Sequence, residues 1–485
     1  MPEIKINIVD NTSAVLGSTD VYTVFIPGNS KYIADTIKND KLVKGNEDYF
    51  GKYNLFTSLT DFNKVIKEPE NYTSSDYPYT VDDELKYADP GYRLAKLALE
   101  NNLPVLYYIP DYVAEVPGYT TYSAADPQPT SETFDEGTYY TRSGEGTEQS
   151  PYVYTLAETF ESETDYYVAT EVPAVPAHEQ DYEDVKTFVN ADASTSTLFS
   201  DLEDKSLFDI RFVTNGGYGW CSIVDKSVVK PNSITNAINV AKNRGDCIAL
   251  IDFAKDIKAK DLLVDGIDLS AIRTKTTPAN YAAFIPWVTY DGVCLPASAG
   301  YLEAFGKQTK NNPNWFATAG FIRGIISGTP NEVIGELLAN KLIKDDNVSI
   351  NPITRVSTSS TNFYNMIWGN RTTYYNAKGL KASNFLNIIQ LCCDLSKRLY
   401  RASKENMYEQ NTDRLWFNFK APVEELLNNM LQNEGILGYK IIRQNATERA
   451  QVRALVKIVP IEAVEKFDIT IELADNLEVS VTIAE

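Results

Sequence analysis

The chain has 485 residues, which is more than one hydrophobic core usually supports, so about two to four domains are expected. Hydrophobic residues make up 43% of the chain and charged residues 23%, which is typical of folded protein and not of a disordered chain. The net charge of −21 argues against a nucleic-acid partner, because a phosphate backbone is bound by excess Lys and Arg. No run of about 18 apolar residues is present, so no stable membrane association is predicted.

Units of a helix followed by a strand recur in the N-terminal half. Apolar residues at helical spacing are followed each time by a short apolar run that is typical of a buried strand. In the clearest unit, Ser233 is predicted to cap a helix that ends at Gly245. Repeated units of this kind indicate a sheet covered by helices. The predicted helix and strand pairs are 92–101 with 103–109, 198–204 with 208–213, and 233–245 with 247–251.

The segment 111–185 differs from the rest of the chain in charge and composition. It holds 17 Asp and Glu residues against one basic residue, Arg142, and it is rich in Tyr and Thr, which favour strands. Residues 132–140 and 158–167 form an imperfect repeat joined by a turn-like stretch. We interpret the segment as a β-rich insertion; its acidity also allows a solvated, partly disordered spacer.

The C-terminal part carries long amphipathic helices followed by strands. Apolar stripes predict one helix over 383–401 and a second that opens at Pro422 and ends near Gly435. Strands are predicted at 439–442, 452–459 and 467–473.

Both ends of the chain show the alternation of a half-buried strand. Each strand could pair inside its own domain, or it could be donated to the sheet of a neighbouring subunit, where backbone hydrogen bonds supply affinity and alternate side chains supply register. The residues assigned to these strands as candidate inter-subunit contacts are Ile4, Ile6, Ile8, Leu477, Val479, Val481 and Ile483.

Residues that usually perform catalysis or bind metals are few and scattered. The one histidine, His178, lies in a Pro-rich acidic stretch where an exposed loop is expected, and a Ser-His-Asp or Cys-His site would depend on it. The cysteines form no CxxC pair and lack matched histidines, which predicts buried free thiols and neither disulfides nor a zinc site. We therefore predict no catalytic, cofactor-binding or metal-binding residues. The five cysteines are Cys221, Cys247, Cys294, Cys392 and Cys393.

Two further patterns are given structural interpretations. Residues 216–219 (GGYG) lack the spacing of a phosphate-binding loop and are expected to form a turn. Four tryptophans each sit in an apolar run and are expected in the core, although aromatic rings of this kind also form sugar platforms. They are Trp287, Trp315, Trp368 and Trp416.

From about residue 280 onward, the order of motifs resembles that of contractile tail sheath proteins, the family of myophages and related injection systems. The N-terminal half is similar to the family around 54–66 and 94–109, whereas 111–185 is not, which fits a lineage-specific insertion. The matching segments are 282–288 (AAFIPWV), 295–300 (LPASAG), 350–353 (INPI), 367–372 (IWGNRT) and 413–418 (DRLWFN).

The resemblance implies a structural subunit of a contractile tail sheath and not an enzyme. Such subunits form a helical homo-oligomer of stacked rings around a tail tube, linked by terminal strands that add to a sheet in adjacent subunits. Contraction drives the tube through a target cell envelope without any cofactor. The implied partners are further copies of the chain, the tail tube protein, and baseplate and tail terminator proteins. The implied location is the virion tail, after assembly in the host cytoplasm.

The expected fold class is α/β (α+β) and multidomain, with helix-covered mixed sheets, a β-rich insertion and terminal strand-forming arms. Two other functions are kept open: an outer-surface host-binding tail component that uses the insertion, and a glycan-degrading enzyme that uses Asp or Glu pairs. The expected domains are an N-terminal arm (1–20), an α/β domain (21–110 with 186–270), the insertion (111–185), a sheath core (271–473) and a C-terminal strand arm (474–485).

Overall fold

The structure is a computed structural model that describes residues 22–29, 37–38, 41–42, 49–69, 89–111, 119–144, 152–172, 182–192, 197–275, 279–344, 348–357, 362–375 and 380–463. The helices within these ranges are α1 (Leu59–Val65), α2 (Pro90–Glu100), α3 (Tyr182–Val189), α4 (Asn232–Arg244), α5 (Ala297–Thr309), α6 (Gly320–Arg323), α7 (Glu336–Lys344), α8 (Leu386–Glu405) and α9 (Asp413–Gln432). In the described part of the chain, no helix is both long and apolar enough to span a lipid bilayer.

The strands within the same ranges belong to one large sheet and several small ones. They are β1 (Val24–Pro27), β2 (Ile37–Lys38), β3 (Lys41–Leu42), β4 (Lys52–Phe56), β5 (Val105–Ile109), β6 (Tyr119–Ala124), β7 (Tyr139–Ser143), β8 (Val153–Leu156), β9 (Tyr166–Val172), β10 (Phe212–Val213), β11 (Ser222–Val224), β12 (Ser227–Val229), β13 (Ile248–Asp252), β14 (Tyr281–Ile285), β15 (Val288–Tyr290), β16 (Val293–Leu295), β17 (Ile325–Ile326), β18 (Thr329–Pro330), β19 (Asn351–Ser357), β20 (Phe363–Ile367), β21 (Ile436–Gln444) and β22 (Arg453–Pro460).

The large sheet has nine strands in the order β17-β20-β19-β14-β13-β10-β1-β5-β4. The six from β19 to β5 run parallel to one another. At the margins, β4 pairs antiparallel with β5 and β20 pairs antiparallel with β19, while β17 pairs antiparallel with β20. Strands from the predicted α/β domain and from the predicted sheath core meet inside this sheet, where β13 pairs with β14 and Leu250 lies opposite Ala282.

Helices cover both faces of the large sheet, so its central strands are buried on both sides. Within β13, for example, Ile248 and Leu250 join one core, whereas Ala249 and Ile251 join the other. The first core contains α2, α5 and the N-terminal half of α8, and the second contains α3, α4 and α7. Because both faces of the central strands are buried, their sequences are continuous apolar runs and do not alternate with polar residues. The predicted fold class is confirmed, except for the terminal arms, which lie outside the described residues.

The helix–strand units at α2–β5 and α4–β13 are confirmed, with differences at their ends. Gly245 ends α4 in the left-handed conformation at φ 66°, as predicted. Ser233 was wrongly predicted as the cap: the helix begins at Asn232, and the buried Ser233 hydroxyl donates to Asn190 Oδ1 at 2.7 Å. The helix predicted at 198–204 is only a 3₁₀ turn over Asp201–Glu203.

The second C-terminal helix does not open at Pro422, as the sequence had predicted. It begins nine residues earlier at Asp413, where the Thr412 hydroxyl accepts from the Leu415 N–H at 3.4 Å, and Pro422 lies inside it. The buried stripe continues through the proline, from Phe419 to Val423. The carbonyl that Pro422 cannot pair belongs to Asn418, an exposed residue, so water can satisfy it.

The insertion forms an antiparallel sheet of its own, in the order β6-β9-β7-β8. The Tyr-Tyr pairs that end the two sequence repeats begin β7 and β9, and these strands pair with Tyr140 opposite Tyr167. The β-rich interpretation of the insertion is therefore confirmed for residues 119–144 and 152–172.

The cysteine and tryptophan predictions are confirmed. All five cysteines are buried free thiols. Trp287 and Trp315 are buried, and Trp368 and Trp416 are half-buried against the cores. The side chain of His178 lies outside the described residues.

Candidate functional site

The strands β21 and β22 form a two-stranded antiparallel sheet next to the C-terminal helices, called here the ribbon (Ile436–Gln444 with Arg453–Pro460). Within the described residues, neither outer edge of the ribbon pairs with another strand. An edge of unpaired backbone N–H and C=O groups is a template for an added strand. The ribbon is therefore a candidate site for accepting strands.

One face of the ribbon is packed against the C-terminal helices. Its apolar side chains join a core made with residues of α8 and α9. Because successive side chains of a strand point to opposite faces, this burial fixes which residues remain on the outer face. The packed ribbon residues are Ile436, Tyr439, Ile441, Val456 and Ile458.

The outer face of the ribbon is basic and partly apolar. Lys440 lies directly opposite Lys457, and Ile442 lies opposite Leu455. Two like charges facing each other across a sheet destabilise it, unless a further strand or partner brings negative charge beside them. Val459, next on the same face, is 52% exposed. This face suits an added strand that carries apolar side chains and carboxylates.

Contacts with α9 hold the ribbon in place. The Arg443 guanidinium donates to Asp413 at 2.8 Å and lies over the ring of Trp416. The Tyr439 hydroxyl donates to Asn428 Oδ1 at 2.8 Å. The Arg443 ion pair is exposed and contributes little by itself, so the buried side chains of the packed face supply most of the attachment.

A buried ion pair fastens the C-terminal helices to the large sheet. Arg211, just before β10, pairs with Asp394 of α8, and both side chains are fully buried. The Arg211 guanidinium also donates to the Gln390 carbonyl at 3.0 Å. Charges this deep persist only when they are paired, so α8 and the sheet are held in one relative position.

A second ion pair lies beside the first. The Lys397 ammonium pairs with Asp209 and donates to the Ile210 carbonyl at 2.8 Å. Burial pushes the pKa of Asp209 upward, but Lys397 and, more weakly, Arg401 outweigh it and hold that pKa below its ordinary value. The ribbon is thereby linked mechanically to the body of the chain through α8.

The usual ligand crevice of a parallel α/β sheet is filled by the chain's own side chains. The parallel strands order as β5-β1-β10-β13-β14-β19, so the order reverses between β1 and β10, where such folds bind ligands. There Tyr107 packs so tightly that a Cβ on Gly28 would lie 1.8 Å from its ring. Asp89 lies buried at the same place, accepts from the Tyr92 N–H, and burial raises its pKa to about 6.

Residues 216–219 form the predicted turn beside this crevice, with Gly216 at φ 68° and Gly217 at φ 81°. A Cβ on Gly216 would lie 2.5 Å from the Pro27 carbonyl, so these glycines serve close packing. Among the described residues, no three His, Cys, Asp or Glu side chains come together as metal ligands.

The seven candidate inter-subunit residues at the chain ends lie outside the described residues, so their placement stays a prediction. The ribbon was not identified as a candidate acceptor: the sequence predicted both of its strands but assigned them no role. A signal was available, because two basic residues, Lys440 and Lys457, stand in alternating strands only 17 positions apart.

No protein-family model matches the sequence, and no curated protein matches it. Solved structures match its fold along nearly the whole chain. A chain of the sheath complex of PVC, an extracellular contractile injection system in its contracted state, has a TM-score of 0.52 at 12% identity, covering 99% of this chain and 98% of that one. A chain of the anti-feeding prophage (AFP) baseplate has a TM-score of 0.54 at 12% identity, covering 98% of this chain and 99% of that one. The expected resemblance to contractile sheath proteins is thus confirmed at the level of the fold.

Proposed function

We propose that the chain is a structural subunit of a contractile tail sheath. The observation that carries this proposal is the match of its fold, over 99% of its length, to a chain of a contractile sheath complex. The subunit would polymerise around a tail tube and contract to drive that tube through a target cell envelope. It would act by assembly and not as an enzyme.

We further propose that neighbouring subunits are linked by strand addition at the ribbon. The donated strands are residues 477–483 and, on the other edge, residues 4–8. Charge supports the C-terminal donor: residues 474–485 contain Asp475, Glu478 and Glu485 and no basic residue, whereas the outer face of the ribbon carries Lys440 and Lys457. Backbone hydrogen bonds along an open edge give such a joint its affinity.

Contraction in this proposal needs no fuel. The extended lattice is metastable, and contacts between subunits in the contracted lattice have the lower free energy. The strand joints keep subunits connected while they rotate. The buried pair of Arg211 and Asp394 transmits the movement of the ribbon to the large sheet.

The proposed partners are further copies of the chain, the tail tube protein, and baseplate and tail terminator proteins. The proposed site of action is the virion tail or the corresponding injection device, assembled in the host cytoplasm. The proposed domains are those of the sequence analysis, with the two arms at 1–20 and 474–485 serving as linkers between subunits.

The test keeps the chain length constant and changes only one face of the donor strand. Replacing its four apolar residues with serine should leave a folded chain that no longer forms tubes in negative-stain micrographs. The matched control changes Ser480 and Thr482, on the other face of the same strand, to alanine and should still form tubes. Tubes of normal length from the serine variant would refute strand donation. The four residues are Leu477, Val479, Val481 and Ile483.

A further inference from the structure

The two faces of the insertion sheet differ in character. One face packs on a small core of its own, in which Tyr166 is 1% exposed and contacts Phe134 and Phe160. Residues of the connecting loops, among them Ala125 and Ala157, pack into this core. Within the described residues, every hydrogen bond and ring contact of the insertion sheet stays inside the insertion.

The opposite face carries a cluster of aromatic rings, called here the tyrosine face. The rings of Tyr122 and Tyr154 are stacked in parallel, 4.1 Å apart, and Tyr140 meets Tyr122 edge-on at 5.0 Å. Tyr167 lies beneath them, 5.3 Å from Tyr154. Tyr152 borders the cluster and is 47% exposed. The strand register places these residues on one face.

Arg142 lies on the tyrosine face, opposite Tyr154 in the pairing of β7 with β8. Its guanidinium lies 4.4 Å from the ring centre of Tyr152 and 4.8 Å from that of Tyr167, so two aromatic rings hold it. It is the one basic residue of the segment 111–185, which contains 17 carboxylates. Even so, it forms no ion pair or hydrogen bond with another described residue. A stacked guanidinium of this kind keeps its N–H donors available to a ligand.

We propose that the tyrosine face binds a neutral glycan. Flat aromatic rings match the apolar C–H faces of sugar rings, while the tyrosine hydroxyls and the Arg142 N–H groups match sugar hydroxyls. Tyrosine and arginine side chains are also the ones that dominate the binding energy of recognition surfaces. The inference stands apart from sheath assembly and would hold for an outward-facing insertion of any tail component.

The charge distribution selects this ligand over charged alternatives. A polyanion would be repelled by the dense carboxylates of the insertion. A polycation would be attracted by the same carboxylates, but its cationic groups only donate hydrogen bonds and so cannot pair with the Arg142 N–H donors on the tyrosine face. An uncharged, hydroxyl-rich polymer is not repelled by the carboxylates, and its hydroxyls can accept from the Arg142 N–H groups. A neutral polysaccharide is therefore the occupant that fits.

The experiment measures binding of the full-length chain to immobilised dextran, mannan, galactan and chitin oligomers. Dextran sulfate and polylysine serve as the charged probes. We expect binding to at least one neutral polymer and at least about tenfold weaker binding after Tyr122→Ala or Arg142→Ala. Arg142→Lys should weaken binding as well, because lysine keeps the charge but not the planar stacked donors.

The matched control is Thr155→Ala, an exposed position on the opposite face of the same sheet, which should bind as the wild type does. Melting temperatures would show that each variant is folded, and unchanged tube formation would separate this result from the assembly proposal. Stronger binding of dextran sulfate than of the neutral polymers overturns the inference, and so does polylysine binding that Tyr122→Ala weakens more than it weakens binding of the neutral polymers. So does the absence of binding to all four neutral polymers, or equal loss in the control.

Discussion

Replacing Arg211 with methionine should strongly destabilise the chain. The substitution keeps an unbranched side chain of similar length in the fully buried site but removes the charge that faces Asp394. The carboxylate would then be buried without a cation. Its remaining polar contact is with Asn314, whose amide N–H donates to Asp394 Oδ2.

The magnitude follows from this burial. Breaking a buried ion pair by removing one partner costs about 3–5 kcal/mol, because the other charge stays desolvated. Asp394→Asn alone should cost a similar amount, since it strands the Arg211 guanidinium. The double variant buries no net charge, so its cost should fall short of the sum of the two single costs by at least about 2 kcal/mol.

The assay is urea denaturation of the three variants and the wild type, followed by circular dichroism. A double-mutant cycle isolates the pair from the other effects of each substitution. A loss of less than about 1 kcal/mol in Arg211→Met, or strictly additive single effects, would refute the ion pair as the link between α8 and the sheet.

Three further substitutions test other parts of the structure. Burial raises the pKa of Asp252 to about 6, although it accepts from Ser298. The native state therefore holds an extra proton on Asp252 between pH of about 4 and 6, so this group lowers stability by up to about 3 kcal/mol as pH rises through that window. Asp89, whose pKa is also about 6, adds a similar slope. Asp252→Asn should make the pH dependence of the urea midpoint clearly shallower, and an unchanged slope would contradict this assignment. Gly245→Ala should destabilise the folded chain by about 1 kcal/mol, because its φ is 66° and alanine is strained in that conformation. An added Cβ would meet no neighbouring group within 4 Å, so the cost would come from the backbone alone. A melting temperature equal to that of the wild type would exclude backbone strain. Lys440→Glu should shorten or abolish tubes, because the new carboxylate would repel the acidic C-terminal arm (474–485). The control, Lys310→Glu at an exposed position, should form normal tubes. Normal tubes from Lys440→Glu would contradict an electrostatic contribution to the joint between subunits.

Local patterns predicted much of this fold because the apolar spacing within many segments matches the helix or strand that the segment forms. The apolar spacing of α2, α4 and α8 is visible in the sequence, and so are the runs that form β5 and β13. The start of α9 was missed because Pro422 resembles a first helical residue. Local spacing could not show that Thr412 caps an earlier turn and that the exposed side of the helix tolerates the proline.

Features that depend on pairing between segments distant in the sequence could not be predicted from local patterns. The pairing of β13 with β14 joins segments that the sequence analysis placed in separate domains. The basic face of the ribbon exists only once Lys440 and Lys457 are brought into register across two strands. The tyrosine face likewise depends on the register of β7 with β8 and β9, although its composition was evident in the sequence.

Cryo-electron microscopy of tubes assembled from the full-length chain is the most direct test of strand exchange. Strand addition predicts that the ribbon lies within a larger sheet, with residues 477–483 of one neighbouring subunit and residues 4–8 of another added at its edges. Side-chain density should place Glu478 near Lys440 or Lys457. Ribbon edges that stay unpaired, or terminal strands that fold back onto their own subunit, would contradict the account.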